Sequence, residues 1–168
     1  MDLRQDLLKN RWFWLVAFLG LVLDQLTKTI VLQTLPEVGD TFALWPNVFH
    51  FTYVQNTGAA FSIFTDGVHW LRWLSLGVSV GLMALAWFGD RQTLWEQGGY
   101  GFILAGAMGN GVDRFLFGYV VDFLDFRLIN FPVFNIADVC INIGIACLLL
   151  NLWFSYRLAQ AESPPHSK

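Results

Sequence analysis

Two aspartates, Asp122 and Asp138, are the residues of this sequence with the clearest chemical potential. They lie beside or inside apolar stretches, and neither has an obvious cationic partner, since the nearby Arg127 falls in a predicted loop. Unpaired carboxyl groups at one depth of a membrane are hard to explain by packing alone. Two carboxyl groups that approach each other share a proton, and such a pair can activate a water molecule and protonate a leaving amine.

Other polar residues interrupt the apolar stretches in three groups, each of which lies on one side of a helix by its spacing. The groups are Asp24 with Lys28, Asn110 with Asp113 and Arg114, and Asn135 with Asp138 and Asn142. A charge inside a membrane costs at least about 2.5–3.5 kcal/mol, so these residues are functional candidates that should face the bundle interior. The structural alternatives remain open: Asp24–Lys28 and Asp113–Arg114 as buried ion pairs, and the asparagines as interhelical hydrogen-bond partners.

The cysteines and histidines do not suggest a metal site. Cys140 and Cys147 are two helical turns apart, about 10 Å along the axis, so they cannot form a disulfide with each other. His50, His69 and His166 are far apart and have no ligand-like neighbours. We therefore expect neither a metal nor an organic cofactor.

The composition is that of an integral membrane protein. The chain has 168 residues, of which 55% are hydrophobic and 14% charged, whereas ordinary globular domains have roughly 45–50% and 25%. A net charge of −3 argues against nucleic-acid binding. Sixteen Phe and eight Trp argue against a disordered chain.

Four apolar segments approach the roughly twenty residues that a helix needs to span a bilayer. They predict an all-α membrane protein with four transmembrane helices at about 12–31, 70–88, 100–117 and 134–156. The first segment starts like a signal peptide, but Asp24-Gln-Leu-Thr-Lys28 follows it instead of a cleavage site, so we expect a retained helix. Residues 1–160 should form a single domain, and residues 161–168 a disordered cytoplasmic tail.

A small β-element is predicted in the first extracytoplasmic loop. Val48–Gln55 alternates in the manner of a strand and places Phe49, Phe51 and Tyr53 on one face. An aromatic face at the water boundary suggests a small sheet that lies on the outer leaflet. Small residues spaced four apart also predict close helix packing at Gly77 with Gly81 and at Ala105 with Gly109.

The distribution of Lys and Arg predicts the orientation. Both termini and the short loop after the second helix are the basic segments, whereas residues 29–70 contain no Lys or Arg. Both termini should therefore be cytoplasmic, with residues 33–69 and 119–133 outside. In this topology the intramembrane polar residues all fall in the outer half of the bilayer, although the helices alternate in direction.

The motifs that carry these residues resemble those of the lipoprotein signal peptidase (signal peptidase II) family, bacterial aspartyl peptidases of the inner membrane. Five motifs occur in order over about residues 12 to 156: Asp24-Gln-Leu-Thr-Lys28, Asn56-Thr-Gly-Ala-Ala-Phe61, Gly109-Asn-Gly-Val-Asp-Arg114, Val121-Asp122-Phe123, and Phe131-Pro-Val-Phe-Asn-Ile-Ala-Asp-Val-Cys-Ile141. Any one motif is weak, but five in order are specific. One departure is Gly111, where many members have a larger apolar residue, and it affects helix packing more than chemistry.

The resemblance implies a role for each polar residue. Asp122 and Asp138 correspond to the catalytic pair, and Asp113 to a structural residue. The residues implied to bind substrate or to support the pair are Asp24, Lys28, Asn56, Gly58, Asn110, Arg114 and Asn135. The implied substrate is a prolipoprotein cut on the amino side of its diacylglyceryl-modified cysteine, at the outer leaflet. The bilayer and such precursors are the implied partners, and a monomer is expected.

Two other classes of protein remain as alternatives. A small proton-coupled transporter or channel subunit would also place Asp and Asn inside a helix bundle. It predicts polar residues at several depths along a pathway, whereas those of this chain cluster at one. A non-catalytic four-helix scaffold gives no reason for the unpaired Asp122 and Asp138.

Overall fold

The computed structural model describes residues 9–58, 68–129 and 131–162. These residues form four long helices and a three-stranded sheet. The helices are α1 (Arg11–Thr34), α2 (Val68–Phe88), α3 (Leu94–Leu116) and α4 (Ile136–Glu162), and the strands are β1 (Thr41–Trp45), β2 (Phe49–Asn56) and β3 (Val120–Phe126). The expectation of a mostly helical membrane protein with a small β-element is confirmed.

Three of the described helices are long and apolar enough to cross a membrane: Arg11–Thr34, Trp70–Phe88 and Ile136–Gln160. The remaining helix, α3, has 23 residues, which is about 35 Å at 1.5 Å per residue. It packs against each of the other three helices, and its interior-facing side is built from small and polar residues, so its sequence is less apolar. Its membrane crossing stays a prediction.

The ends of two helices differ from the sequence-based bounds. Helix α3 begins at Leu94, six residues before the predicted start, because Thr93 and Glu96 form a capping box there. Helix α4 begins at Ile136 and continues to Glu162. Residues 161 and 162 of the expected tail are therefore helical, and residues 163–168 lie outside the described residues.

One face of α1 provides the bundle core at one end and the polar site at the other. Its buried residues follow a helical stripe: Phe13, Ala17, Gly20, Asp24, Lys28 and Val31. Near the N-terminal end of α1, Phe13 and Ala17 pack with Leu104 of α3 and Ala86 of α2. A Cβ atom added at Gly20 would come within 2.7 Å of Ala105 Cβ, so these helices are in close contact.

Small residues mediate helix packing at one of the two predicted pairs. Ala105 is fully buried, and Gly109 lies directly against the Asp24 carboxylate. Gly77 and Gly81 instead have nothing within 4 Å of an added Cβ atom among the described residues. The prediction for that pair was wrong because the i,i+4 spacing identifies a face of α2 but not what covers it.

The sheet has the order β1-β2-β3, and both pairings are antiparallel. The segment predicted as a strand is β2, whereas β3 was expected to be part of a loop. Asp122 therefore sits on a strand, opposite Val54 of β2. This pairing fixes the backbone on both sides of Asp122.

Of the three aromatic residues predicted to share one face of β2, only Tyr53 is buried, whereas Phe49 and Phe51 are half-buried. Tyr53 is 3% exposed and packs with Val31 of α1 and Val121 and Phe123 of β3, with Phe51 at the edge of this cluster. Phe51 lines an open apolar groove together with Phe42 of β1, so the contact of this face with the outer leaflet stays a prediction. The packing of Tyr53 with Val31 fastens the sheet to the helix end that carries Asp24 and Lys28.

Candidate active site

The first carboxyl group of the candidate site, that of Asp122, is buried and is held by two asparagines. Asp122 is 1% exposed. Its Oδ2 accepts a hydrogen bond from Asn56 Nδ2 at 2.8 Å, and its Oδ1 accepts one from Asn135 Nδ2 at 2.7 Å. Asn56 is itself oriented, because its Oδ1 accepts a hydrogen bond from the Gly58 backbone at 2.9 Å. Strand β2 and the start of α4 thus fix the Asp122 side chain from opposite sides.

The second carboxyl group, that of Asp138, belongs to the first turn of α4. The Asp138 backbone N–H donates to Asn135 Oδ1 at 2.9 Å, and the Asn135 N–H donates to Asp138 Oδ2 at 3.2 Å. This reciprocal pattern is a capping box. The other carboxyl oxygen, Asp138 Oδ1, accepts a hydrogen bond from Asn110 Nδ2 at 2.8 Å. Asn135 contacts both aspartates, so one residue sets their relative position.

Both aspartates open onto one groove of about 1000 Å³, a volume at the upper end of the range for small-molecule sites. The groove is lined by β2 and the residues after it, the C-terminal part of α3, the β3–α4 connection and the first turns of α4. The polar residues in its lining are Gln55, Asn56, Thr57, Asn110, Arg114, Asp122, Asp138 and Asn142, and Gly58 is part of the wall.

Lys28 holds the supporting residues together behind the groove. Its Nζ lies 2.9 Å from Asp24 Oδ2, 2.9 Å from Asp113 Oδ2 and 3.1 Å from Asn110 Oδ1. Asp24 Oδ1 accepts the Ala137 backbone N–H of α4, and Asp113 Oδ2 accepts the Val121 N–H of β3. One buried cation therefore connects α1 and α3 to the two elements that carry Asp122 and Asp138.

The expected Asp24–Lys28 pair is present, but the Asp113–Arg114 pair is not. Asp113 is bonded to Lys28 instead, because consecutive helix residues point in different directions. Arg114 is 9% exposed and lines the groove. Its guanidinium donates to Asn110 O at 3.5 Å, and its Nε has no hydrogen-bond partner among the described residues.

The environment of Asp122 favours its protonated form. Burial, and secondly the negative charge of Asp138, raise the pKa of Asp122 to about 7, although the hydrogen bonds from Asn56 and Asn135 act in the opposite direction. Among the described residues, neither aspartate has a Lys or Arg within salt-bridge distance, and Arg127 is paired with Asp125 at 2.9 Å. The negative charge of Asp138 therefore acts on Asp122, and the side-chain donors bonded to the two carboxyl groups are neutral amides. Arg114 attracts both aspartates, and Lys28 attracts Asp122, without a salt bridge to either aspartate.

The sequence reasoning missed Gln25. Its Nε2 donates to Asp24 Oδ2 and Asp113 Oδ1 at 3.1 Å each and to Gly109 O at 3.2 Å. It therefore shares the two carboxylates with Lys28. Its position inside the Asp24-Gln-Leu-Thr-Lys28 motif was the one feature of the sequence that could have identified it.

Gly111, the departure from the motif pattern, faces Ser75 of α2. A Cβ atom added at Gly111 would lie 3.1 Å from Ser75 Cβ.

Comparisons with known proteins agree on one family. A family model described as signal peptidase (SPase) II matches residues 16–154. The lipoprotein signal peptidase of Microcystis aeruginosa is 71% identical over 143 residues, which cover 85% of this chain and 92% of the relative. The lipoprotein signal peptidase of Cyanothece sp. is 64% identical over 168 residues, covering 95% and 96%.

Solved structures agree with this result at the level of the fold. A bacterial membrane enzyme solved by the in meso method at 2.3 Å resolution superposes with a TM-score of 0.77 at 29% identity, covering 92% of this chain and 93% of that chain. A second such enzyme, solved at 1.9 Å, gives a TM-score of 0.72 at 32% identity, covering 82% and 90%. With a family model over most of its length and relatives this similar, the chain belongs to the signal peptidase II family.

Proposed function

We propose that this protein is an aspartic endopeptidase in which Asp122 and Asp138 are the catalytic pair. As a signal peptidase II, it removes the signal peptide from prolipoproteins. The finer proposal is that it cuts on the amino side of a diacylglyceryl-modified cysteine. The observation that carries the proposal is that Asp122 and Asp138 open onto one groove and are held there by amides, with no salt bridge to a cation among the described residues.

Two coupled carboxyl groups supply both proton transfers of peptide hydrolysis. One carboxylate accepts a proton from a water molecule as the water oxygen bonds to the scissile carbonyl carbon. The other, protonated carboxyl group donates its proton to the amine as the carbon–nitrogen bond breaks. A pKa of about 7 for Asp122 suits the group that carries the shared proton. The amide donors of Asn56, Asn110 and Asn135 keep the carboxyl oxygens in place without neutralising the pair.

Arg114 is proposed to stabilise the charge that develops on the substrate. Its buried guanidinium lines the groove and has donor capacity that the described residues do not use. A preorganised donor in a site of low water content stabilises an oxyanion strongly. Asn110, whose side chain is fixed by Lys28, positions Asp138, and Asn135 positions both aspartates.

The membrane arrangement follows from the same residues. We propose that α3 is a fourth transmembrane helix and that both termini are on the cytoplasmic side of the bacterial inner membrane. The C-terminal ends of α1 and α3 and the N-terminal end of α4 meet at the sheet. This end would be the extracytoplasmic one, where the diacylglyceryl group of a precursor holds the cysteine near the outer leaflet. A monomer contains every residue that the proposal needs.

The transporter alternative is less well supported. It requires polar groups along a path through the bundle. The described bundle interior next to the N-terminal end of α1 is instead filled by an apolar cluster of Phe13, Ala17, Ala86 and Leu104.

The test is the cleavage of a synthetic diacylglyceryl-modified precursor by the purified protein in lipid nanodiscs. We expect one cut, with product masses that place it before the modified cysteine, and no cut in the same peptide without lipid. Asp122→Asn should abolish the product. Asp125→Asn is the matched control, because Asp125 is on the same strand but pairs with Arg127 outside the groove. Cleavage elsewhere, or equal cleavage of the unmodified peptide, would refute the proposed specificity.

A further inference from the structure

Asn142 is a polar residue of the groove that has no assigned role. It lies one turn after Asp138 in α4, inside the apolar segment Ile136–Gln160, and its side chain is exposed to the groove. In the proposed membrane arrangement this position borders the bilayer, where an unsatisfied polar group is costly. Packing does not explain its presence, since the side chain is not enclosed by the bundle.

The hydrogen bonding of Asn142 fixes which end of its amide is free. Nδ2 donates to the Asp138 backbone oxygen at 2.8 Å. Since that oxygen can only accept, the amide nitrogen must point toward it, and Oδ1 points away. Among the described residues, no donor is bonded to this Oδ1. The groove therefore contains an oriented acceptor one turn from a proposed catalytic carboxyl group.

The three asparagines around the aspartates do not offer the same acceptor, and the amide of Gln55 belongs to β2, away from the first turns of α4. The side-chain oxygen of Asn56 accepts the Gly58 N–H, that of Asn110 accepts Lys28 and Asn135, and that of Asn135 accepts the Asp138 N–H. Arg114 can only donate.

A peptide substrate brings the complementary group. Its scissile bond must leave any helical conformation to be reached by two carboxyl groups, and unwinding frees backbone N–H groups. In a site with little water these N–H groups need acceptors. An acceptor beside the carboxyl pair is therefore a site for substrate backbone.

We infer that Asn142 Oδ1 accepts a hydrogen bond from a substrate backbone N–H on the amino side of the scissile bond, and that Asn142 is thereby a substrate-positioning residue. This inference rests on the proposed function. Helix α4 runs from the sheet end into the apolar part of the bundle, where the apolar signal peptide would lie. Asn142 is about 6 Å further along this axis than Asp138, a distance that two extended residues cover at about 3.3 Å each.

The test combines an enzyme variant with substrates that lack single N–H groups. In each substrate, one of the three peptide bonds before the scissile bond is replaced by an ester, which removes the N–H. The parent and the three esters are assayed with the wild type, Asn142→Leu and Asn142→Ala. The Leu and Ala variants remove the acceptor at an exposed helix position. Asn151→Leu is the matched control, because Asn151 is on the same helix but bonds to Thr93, outside the groove.

We expect both Asn142 variants to lower kcat/KM for the parent about tenfold, which corresponds to one hydrogen bond of about 1.4 kcal/mol. With the wild type, one of the three esters should also lower kcat/KM about tenfold, and with either Asn142 variant that ester should be cleaved no more slowly than the parent. Each of the other two esters should lower kcat/KM by its own factor in the wild type and by the same factor again in the variants. Asn151→Leu should behave as the wild type does.

Two results would overturn the inference. One is an unchanged kcat/KM for the parent in both Asn142 variants. The other is that, at all three ester positions, the loss of kcat/KM caused by the ester multiplies with the loss caused by the variant. Failure of the wild type to cleave the parent would instead refute the proposed function. The two failures are therefore distinguishable.

Discussion

The burial of Asp122 makes a quantitative prediction about the pH dependence of folding. The pKa of Asp122 is raised from its ordinary value of 3.8 to about 7 in the folded protein. The folded state therefore binds this proton more tightly than the unfolded state does, so the contribution of Asp122 to stability is greatest below pH 4 and is lost as the pH rises toward 7. The difference between the two pKa values corresponds to about 4 kcal/mol in total, of which about 3 kcal/mol falls between pH 5 and pH 8.

The assay is equilibrium unfolding of the wild type and Asp122→Asn in mixed micelles at a series of pH values. The free energy of unfolding of the wild type should fall, relative to that of the variant, by about 3 kcal/mol from pH 5 to pH 8. The new amide would face the donors of Asn56 and Asn135, which adds a cost that does not vary with pH. Because this cost is the same at every pH, comparing how steeply the two unfolding free energies change with pH removes it.

Asp125→Asn is the control for the slope. Burial alone would raise the pKa of Asp125, but hydrogen bonds from Arg127 and Thr52 outweigh it and hold the pKa below its ordinary value. Its contribution is lost only as the pH falls below about 4, so this variant should keep the wild-type slope between pH 5 and pH 8. A parallel course of the wild-type and Asp122→Asn curves would refute the reasoning.

Three further predictions concern the framework. Gly109→Ala should lower the unfolding midpoint, because the added methyl group meets the Asp24 carboxylate. Gly77→Ala, which has open space around it among the described residues, should instead raise the free energy of unfolding by up to about 1 kcal/mol. Equal effects of the two substitutions would contradict the described helix packing. Lys28→Met should cost about 3–5 kcal/mol of unfolding free energy, because it leaves two buried carboxylates without their cation, and a variant as stable as the wild type would contradict this role. Reporter fusions at Asp40 and Gln97 should give opposite signals, and matching signals would refute the topology.

Local spacing predicted the parts of the site that depend on one helix. The i,i+4 relation of Asp24 and Lys28 and the i,i+3 relation of Asn135 and Asp138 determine a shared face, and the structure contains both contacts. Partners on other elements could not be predicted in this way. The bond from Lys28 to Asp113 depends on how closely α1 and α3 approach each other.

The strand that carries Asp122 was missed for a different reason. Most residues of β3 are buried on both faces of the strand, so its sequence does not alternate between polar and apolar residues and gives no strand signal of period two. The aromatic residues of β2 did alternate, but the pattern could not distinguish a lipid surface from the interior formed by Val31, Val121 and Phe123. Tertiary packing decided the burial of β3 and of Tyr53.

The central claim is that Asp122 and Asp138 act as one catalytic unit. The most direct measurement is the cleavage rate of the lipid-modified precursor by Asp122→Asn, Asp138→Asn and the double variant at matched protein levels. Each single variant should abolish cleavage, and the double variant should be hardly worse than either, because removing one member of a pair that shares a proton removes the function of both. Substantial turnover by either single variant would contradict the assignment of the catalytic pair.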